Sequence, residues 1–535
     1  MKLKMNPLLK PYYKKFIKPL SLLSVFSIIL SSTAILFAYL SKLAIDTYTD
    51  SSKLFTYGSS LVIVMLVQVL LSAFNQYYKA RSTYQLEDIM RQDLYQKLLK
   101  SKIEQSDQNH SAVYINHFKS DLTFITDGIY DLIPRVLFYI FRFLGAFVVL
   151  FILDMLFALI FLALGLLLFV LSRVLSKHIK QVQKESLAAE DHLYQHMQEG
   201  LTHLEVIKAF EAEDIQTESL QTASHHFYLK RMKKQVLSAF TGLGLQGFFA
   251  FGYLFAILFG LIRLNQGAIV FGSLVAIIQL VQNIQSPFSG LSNLVIKYHQ
   301  WRTSLDRLRL IDGLESESKT KIPIRDFKKI ELKKVSFAYL QKPVLNQLSF
   351  EIKPNELIWI KGDSGKGKTT LIKLLLGLMK PESGSMALII DDASYPLSES
   401  TRQYFSYVPQ SYYLLSDSIF DNLTLKRDIP MTKVIEACQI ACIYDDILKT
   451  PNGFDTKLKE FGSGLSIGQL ERLSIARAIL KDAPILLLDE ITASLDQDTE
   501  KKVLMNLKSL KQKTIIIISH RDLKDIKPTK TIDLN

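Results

Sequence analysis

The sequence predicts a two-part membrane protein: an all-α domain of six membrane-crossing helices with long helical extensions, followed by an α/β domain. Three observations lead there. The chain has 535 residues, too many for one hydrophobic core, so at least two domains are expected. Apolar residues make up 48% of it and the mean hydropathy is +0.17, high for a soluble protein. Those residues are also unevenly placed. Before about residue 310 they form long runs such as 156–171; beyond it, short apolar runs alternate with charged and turn residues, as in a soluble α/β domain. The polar stretch 315–321 marks the change. The expected limits are 1–312 for the membrane domain, 313–328 for a linker and 329–535 for the second domain.

The net charge of +13 raises nucleic acid as a partner, but the membrane reading explains it more simply, because Lys and Arg collect on cytoplasmic loops. No nucleic acid partner is expected. Cys438 and Cys442, the two cysteines, lie one helical turn apart with no His partner nearby, which reads as small core residues rather than a metal site or disulfide. The basic start MKLKMNPLLKPYYKK precedes an apolar run without a small-residue cleavage site, so it reads as the approach to an uncleaved first span.

A helix needs about 20 apolar residues to cross a bilayer. Residues 20–44, 57–77, 136–153, 155–171, 236–262 and 268–284 meet that need. The connections between the first and second, third and fourth, and fifth and sixth spans are short. The other two, 79–135 and 173–235, are long and carry Lys79, Arg81, Arg91, Lys97, Lys100 and Lys102, then Lys177, Lys180, Lys184, Lys230, Arg231, Lys233 and Lys234. By the positive-inside rule they face the cytoplasm, as do both termini. Segments such as LEDIMRQDLYQKLLKSKI keep helical spacing without Pro or Gly, so these connections read as rods continuing the membrane helices.

Arg142 lies inside the third span, where ionisable groups are expensive and often functional. It either lines a pathway and favours an anionic group, or snorkels or pairs structurally, or lies beyond a span that ends elsewhere. Gln246, Gln279, Gln282 and Asn283 are weaker candidates for the same lining.

In the second domain, Gly362-Asp-Ser364-Gly365-Lys366-Gly367-Lys368-Thr369-Thr370 follows the strand-like LIWI and precedes the helix-like LIKLLLGL. That is the setting of a phosphate-binding P-loop. Its glycines let backbone N–H groups turn toward phosphates at a helix N-terminus. Lys368 would reach the β- and γ-phosphates of ATP and Thr369 the Mg²⁺. A second apolar strand, ILLL at 485–488, ends in Asp489 and Glu490. Phosphoryl transfer to water needs one acid for the metal sphere and one to orient or deprotonate the water; Asp489 suits the first role and Glu490 the second.

With these residues the sequence resembles the ABC transporter ATPases, over essentially the whole chain, and its membrane half resembles their exporter branch. Leu465-Ser466-Ile467-Gly468-Gln469 resembles the family's signature motif, which the resemblance implies reaches across a dimer to the partner's γ-phosphate. Tyr339 resembles the adenine-stacking aromatic, and Gln410, in YVPQ, the glutamine that senses Mg²⁺ and meets the membrane domain. Ser494-Leu495-Asp496 resembles the dimer-contacting loop, and His520, in IISHR, the histidine on the γ-phosphate. Seven such elements fall in the family's order. IKAFEAED, at 207–214, resembles the exporters' second coupling segment, and 107–114 stands where the first belongs. The implied assembly is two half-transporters in a lipid bilayer, a homodimer first and a heterodimer as the alternative. ATP would close their two ATPase domains, the α/β P-loop part of each chain.

Two positions depart from the family pattern. Ile467 stands for the usual second glycine of the signature, and Leu470-Glu471 for the usual basic or Gln-containing pair before Arg472. A β-branched residue matters there only if the backbone needs a conformation it resists, so a weakened site is expected, not a dead one. A chain with an intact Glu490 and an imperfect signature also fits one half of a heterodimer with a regulatory role. For the exported substrate, a peptide or amphipathic small molecule is expected first and a lipid or multidrug flippase-like activity second. The stretch before the first span is under twenty residues, leaving no room for a leader-cleaving peptidase, so trimming would fall to another protein. The expected location is a bacterial plasma membrane.

Overall fold

The computed structural model describes residues 6–106, 111–317, 320, 322–323, 325–339, 342–363, 365–410, 413–458, 464–490, 494–510, 512–519 and 526–534. It divides into two compact units, Met1–Gln96 with His110–Gly313, and Lys97–Asn109 with Leu314–Asn535.

The first unit is helical. Its long helices are α1 (Tyr13–Asp46) and α2 (Ser51–Lys100), then, past the short α3 (Ile103–Ser106) and α4 (Ser111–Asn116), α5 (Leu122–Leu153) and α6 (Met155–Thr202). The one-and-a-half-turn α7 (Leu204–Ala209) precedes α8 (Glu213–Asn265) and α9 (Phe271–Asp312). The six predicted spans fall on α1, α2, α5, α6, α8 and α9. Four of the described helices, those at Tyr13–Asp46, Ser51–Lys100, Tyr114–Leu153 and Glu213–Asn265, are long and apolar enough to cross a membrane, and α6 opens with a shorter apolar stretch, Met155–Gly165. At 1.5 Å per residue the 50 residues of α2 and the 53 of α8 run roughly 75–80 Å, more than twice the hydrocarbon thickness. The membrane helices therefore continue as rods into the charged connections, as their spacing predicts, and the described rods break after α2 and on either side of α7. The sixth span differs in its start: Gly267 takes a left-handed φ of +70°, and α9 begins only at Phe271.

Helix starts follow local chemistry. The Asp154 carboxylate accepts from the Phe157 N–H at 3.0 Å and starts α6 one residue after α5 ends; Asp50 does the same for Ser52 and Lys53 at the head of α2. Between the helices, Ile35 and Ala38 of α1, Ala146 and Leu150 of α5, Phe157 and Phe161 of α6, Ala256 of α8, and Leu274, Ile277 and Leu280 of α9 form one buried cluster. Phe157 stacks on Phe161 at 5.4 Å and meets Phe259 edge-on at 5.2 Å.

The second unit carries two sheets. Strands β1 (Phe327–Tyr339), β2 (Lys342–Ile352), β4 (Ser383–Ile390) and β5 (Ala393–Pro396) form an antiparallel sheet in the order β2-β1-β4-β5. Strands β3 (Leu357–Lys361), β6 (Phe405–Val408), β7 (Ile485–Asp489), β8 (Thr514–Ile518) and β9 (Lys530–Asp533) form a parallel sheet in the order β6-β7-β8-β3-β9. Helices α10 (Lys368–Leu375), α11 (Ile419–Thr424), α12 (Met431–Ile440), α13 (Tyr444–Leu448), α14 (Ile467–Leu480) and α15 (Gln497–Lys508) complete it. The central strands are apolar throughout because both faces are covered. Alternate residues of them divide between two cores: Ile358, Ile360, Ile485, Leu487, Ile516 and Ile518 join α10 and the antiparallel sheet, while Leu357, Trp359, Leu486, Leu488, Ile515 and Ile517 join α12, α14 and α15.

Register fixes where the functional residues meet. Ile518 of β8 pairs with Ile360 of β3 on one side and Asp489 of β7 on the other, and Val408 of β6 pairs with Leu488. The loops after β3, β6 and β7 thus leave the same carboxyl edge of the sheet, where open α/β sheets bind ligands. The residues before β1 are anchored within this unit: Ser316 bridges Ser101, and the Arg402 guanidinium grips both Glu317 oxygens at 2.9 and 3.0 Å.

Candidate active site at the carboxyl edge of the parallel sheet

The loop after β3 turns through Gly365 and Gly367, both left-handed at φ +83° and +84°. Gly367 is the N-cap of α10, and a Cβ there would lie 2.6 Å from Val344 Cγ1, so only glycine fits. Gly362 precedes the turn, Lys366 N–H donates to the Asp363 carbonyl at 3.3 Å, and Ser364 lies outside the described residues. The two threonines part ways. Thr370 is buried with the apolar face of α10, whereas Thr369 is exposed and its hydroxyl bonds to Asp489. Lys368 is 5% exposed; its Nζ donates to the Gly362 carbonyl at 2.7 Å and stands 3.5 Å from Glu490 Oε1.

Asp489, the last residue of β7, is 1% exposed. Burial, and then the Glu490 charge beside it, push its carboxyl up to about 6, against the partial relief of Tyr407, Thr369 and Lys368. Tyr407 Oη donates to Asp489 Oδ2 at 3.4 Å, and Oδ1 has no protein partner among the described residues. Tyr407 is a site residue that motif reading passed over. Its signal was one of register, since it pairs with Leu487, two residues before the acid. Burial holds its phenol well above the usual range, so it stays a donor. Glu490 takes a left-handed φ of +54°, rare for a residue with a side chain, with its N–H on the Ile518 carbonyl at 3.0 Å. That bend aims its carboxylate at Gln410, whose Nε2 donates to Oε2 at 2.8 Å.

Lys368, Thr369, Gln410, Asp489 and Glu490 are therefore brought together, on three adjacent loops. Tyr339, at the end of β1, stands apart from them with its ring 40% exposed, edge-on to Phe337 at 4.9 Å, and its hydroxyl on Met379 at 3.3 Å. His520 lies outside the described residues; the strand leading to it is pinned where Trp359 Nε1 donates to the Ser519 carbonyl at 3.2 Å.

The segment Leu465–Gln469 forms the head of α14. Ser466 Oγ accepts from the Gln469 N–H at 3.3 Å, and Gln469 Oε1 accepts from the Ser466 N–H at 2.8 Å, a reciprocal capping box. Gly468 packs on the 494–496 loop: a Cβ there would lie 3.1 Å from Leu495 Cδ2 and 3.2 Å from the Ser494 carbonyl. Asp496 caps α15 by accepting from the Thr499 N–H at 2.9 Å. Ile467 occupies the first helical position with ordinary helical backbone, its side chain 58% exposed. The β-branched residue meets no conformational resistance there. Arg472 ties this helix to the end of α12 through the Cys442 carbonyl and to Asp446 at 2.9 Å. Of the coupling-segment residues, 207–209 close α7 and leave Phe210 79% exposed, while 107–110 lie outside the described residues.

The donor set fits a nucleotide with Mg²⁺. Oxygen from Thr369 and the unpartnered Asp489 Oδ1 suits a hard cation, and the left-handed glycines with Lys368 at a helix N-terminus suit phosphate.

A family model described as ABC transporter transmembrane region matches residues 20–288, and one described as ABC transporter matches 345–493. The lactococcin-A transport/processing ATP-binding protein LcnC of Lactococcus lactis is 33% identical over 330 residues, covering 60% of this chain and 46% of that protein. The ABC transporter ATP-binding protein YfiB of Bacillus subtilis is 28% identical over 518 residues, covering 94% of this chain and 90% of that one. The chain spans about half the length, or less, of the first curated relatives it matches. Among solved structures, a bacterial Atm1-family ABC exporter with ATP bound superposes with a TM-score of 0.80 over 98% of this chain and 94% of that chain, at 21% identity, a likeness of fold.

Proposed function

This chain belongs to the ABC transporter family, with its transmembrane region and its ATP-binding region in one polypeptide, and on that premise we propose that it hydrolyses ATP to drive export of a peptide or amphipathic small molecule. The observation that carries the catalytic half is the convergence of Lys368, Thr369, Gln410, Asp489 and Glu490 on one sheet edge.

ATP is the substrate of this step. Lys368 and the N–H groups of the loop from Gly362 to Thr370 hold its phosphates, and the exposed Tyr339 ring offers a face to the adenine. Thr369, Asp489 and Gln410 would hold Mg²⁺, which neutralises charge developing on the phosphate oxygens. Glu490, aimed by its left-handed backbone and by Gln410, orients the attacking water and receives its proton; His520 is assigned to the γ-phosphate. Ser466 and Gly468, whose hydrogen bonds among the described residues stay within α14, are available to the nucleotide of a second copy, with Ser494–Asp496 beneath them. The reading is of a homodimer, supported by the undistorted helix head at Ile467. ATP drives the cycle because it binds the closed pair more tightly than the open one. The membrane domain is assigned to 1–312 and the ATPase domain to 329–535, joined by 313–328, in a bacterial plasma membrane with both termini cytoplasmic. Relatives named for lactococcin transport favour a peptide over a lipid.

The test is ATP-dependent uptake of a fluorescent amphipathic peptide into inside-out vesicles containing the chain. Accumulation in wild type and none with Lys368→Ala is expected. Accumulation that ignores ATP would refute the coupling.

A further inference from the structure

Charges at the two ends of the α5 span are paired within the helical unit. At one end Asp131, 3% exposed, receives Lys79 of α2 at 2.6 Å, Arg135 at 2.8 Å and Lys297 of α9 at 3.0 Å. At the other, Asp154 holds Arg263 of α8 at 2.7 Å. Arg142 lies eleven residues from the first cluster and twelve from the second, roughly 17 and 18 Å along the helix at 1.5 Å per residue. That places it near the middle of a hydrocarbon layer about 30 Å thick, where an uncompensated charge costs most.

Among the described residues the partners of Arg142 are neutral. Its Nε and Nη2 both donate to Asn283 Oδ1, at 2.9 and 2.7 Å, and its guanidinium lies over the Phe138 ring at 5.3 Å. Among the described residues no carboxylate stands within ion-pair distance. A guanidinium has five N–H donors in a fixed fork, and two of them converge on a single amide oxygen here. Around it α9 presents a polar stripe: Gln279, Gln282 and Asn283 recur at i, i+3 and i+4 and share a face. Gln282 is exposed, and Gln279 Oε1 is buried without a hydrogen-bond partner in the described structure. Lipid tails offer nothing to such groups, so at this depth they face protein or a water-filled path.

We propose that Arg142, set by Asn283 and flanked by Gln279 and Gln282, is a mid-membrane anion-recognition point, and that the exported amphiphile carries a carboxylate which this fork binds. The inference rests on the exporter reading and names the substrate's chemistry. The depth excludes a lipid headgroup as the anion in place. Transporters commonly seat substrates at the bilayer midplane, and a planar fork reads a carboxylate where a lysine would supply only a point charge.

The test uses the full chain in nanodiscs and a dansyl-labelled peptide of alternating Leu and Gly, made with a free C-terminal carboxylate and as its C-terminal amide. Fluorescence anisotropy should show the carboxylate form bound at least about tenfold more tightly by wild type, as charge-assisted hydrogen bonds are the stronger class. Arg142→Gln should bind both forms alike, and Arg142→Lys should keep a reduced preference. Equal binding of the two forms by wild type, binding of neither, or a preference surviving in Arg142→Gln overturns the proposal; the first two readings do not depend on any variant folding. ATP turnover of the same nanodiscs separates the premise from the inference. Turnover that Glu490→Gln abolishes, without an acid preference, defeats anion recognition alone, whereas absent turnover defeats the homodimeric exporter on which the inference rests.

Discussion

Asp489 and Glu490 are neighbours in sequence with different surroundings, and the proposed division of work between them rests on that difference. Asp489 is sealed in the sheet beside a like charge, which raises its carboxyl to about 6; Glu490 swings out on a left-handed residue toward Gln410. An acid whose folded pKa lies above its unfolded one costs stability once pH passes the unfolded value, and the whole cost is present above the folded value. Between 3.8 and about 6 that amounts to roughly 2–3 kcal/mol at 1.36 kcal/mol per unit. Asp489→Asn should therefore raise the melting temperature of the Mg²⁺-free protein at pH 8 and leave it nearly unchanged at pH 4. A gain equal at both values would show that burial and the Glu490 charge do not raise this carboxyl. Tyr407 stabilises the charged form of Asp489, so Tyr407→Phe should move the acid limb of the ATPase pH profile to higher pH; a shift to lower pH would contradict that donor role.

Elements explain why some of these residues were legible in sequence and others not. The loop 362–370 was readable because a left-handed turn before a helix admits few residues, and Gly367 against Val344 makes the constraint steric. Gly367→Ala should weaken ATP binding by at least about tenfold, from a left-handed penalty of roughly 1–2 kcal/mol plus the clash; unchanged affinity would show that the loop is not held in this form. Apolar run lengths likewise announced the membrane helices, and unbroken helical spacing announced their extensions. Run length could not place the start of α9, which depends on the turn at Gly267. Tyr407 was illegible because its role comes from pairing across β6 and β7, and pairing register is a tertiary fact. The signature head shows both sides. Ile467 looked like a defect by motif, yet it sits exposed at an ordinary helical position. Ile467→Gly should change ATP turnover by less than about threefold, as exposed substitutions do. Ser466→Ala, which removes a cap worth about 1 kcal/mol as well as the proposed contact in trans, should lower turnover much further. Equal effects of the two would remove the distinction.

At the scale of the whole molecule, the chain joins a helical unit with charges paired at the ends of α5 to an ATPase unit whose chemistry gathers on one sheet edge. The order of the two parts was legible because a bilayer and a sheet core demand different apolar periods. What crosses the membrane was not: Arg142 and Asn283 stood in the sequence as separate candidates, and only tertiary packing sets the one on the other, the pair on which the proposed anion recognition rests. The most direct measurement is ATP hydrolysis by the purified chain alone, in lipid, beside its Glu490→Gln variant. Robust turnover by the wild type, lost by at least about a hundredfold in the variant while ATP still binds, is the expected result for a homodimer with Glu490 as its base. A folded wild-type chain that binds ATP without turning it over would contradict the homodimer, and turnover that survives in the variant would contradict the assignment of Glu490.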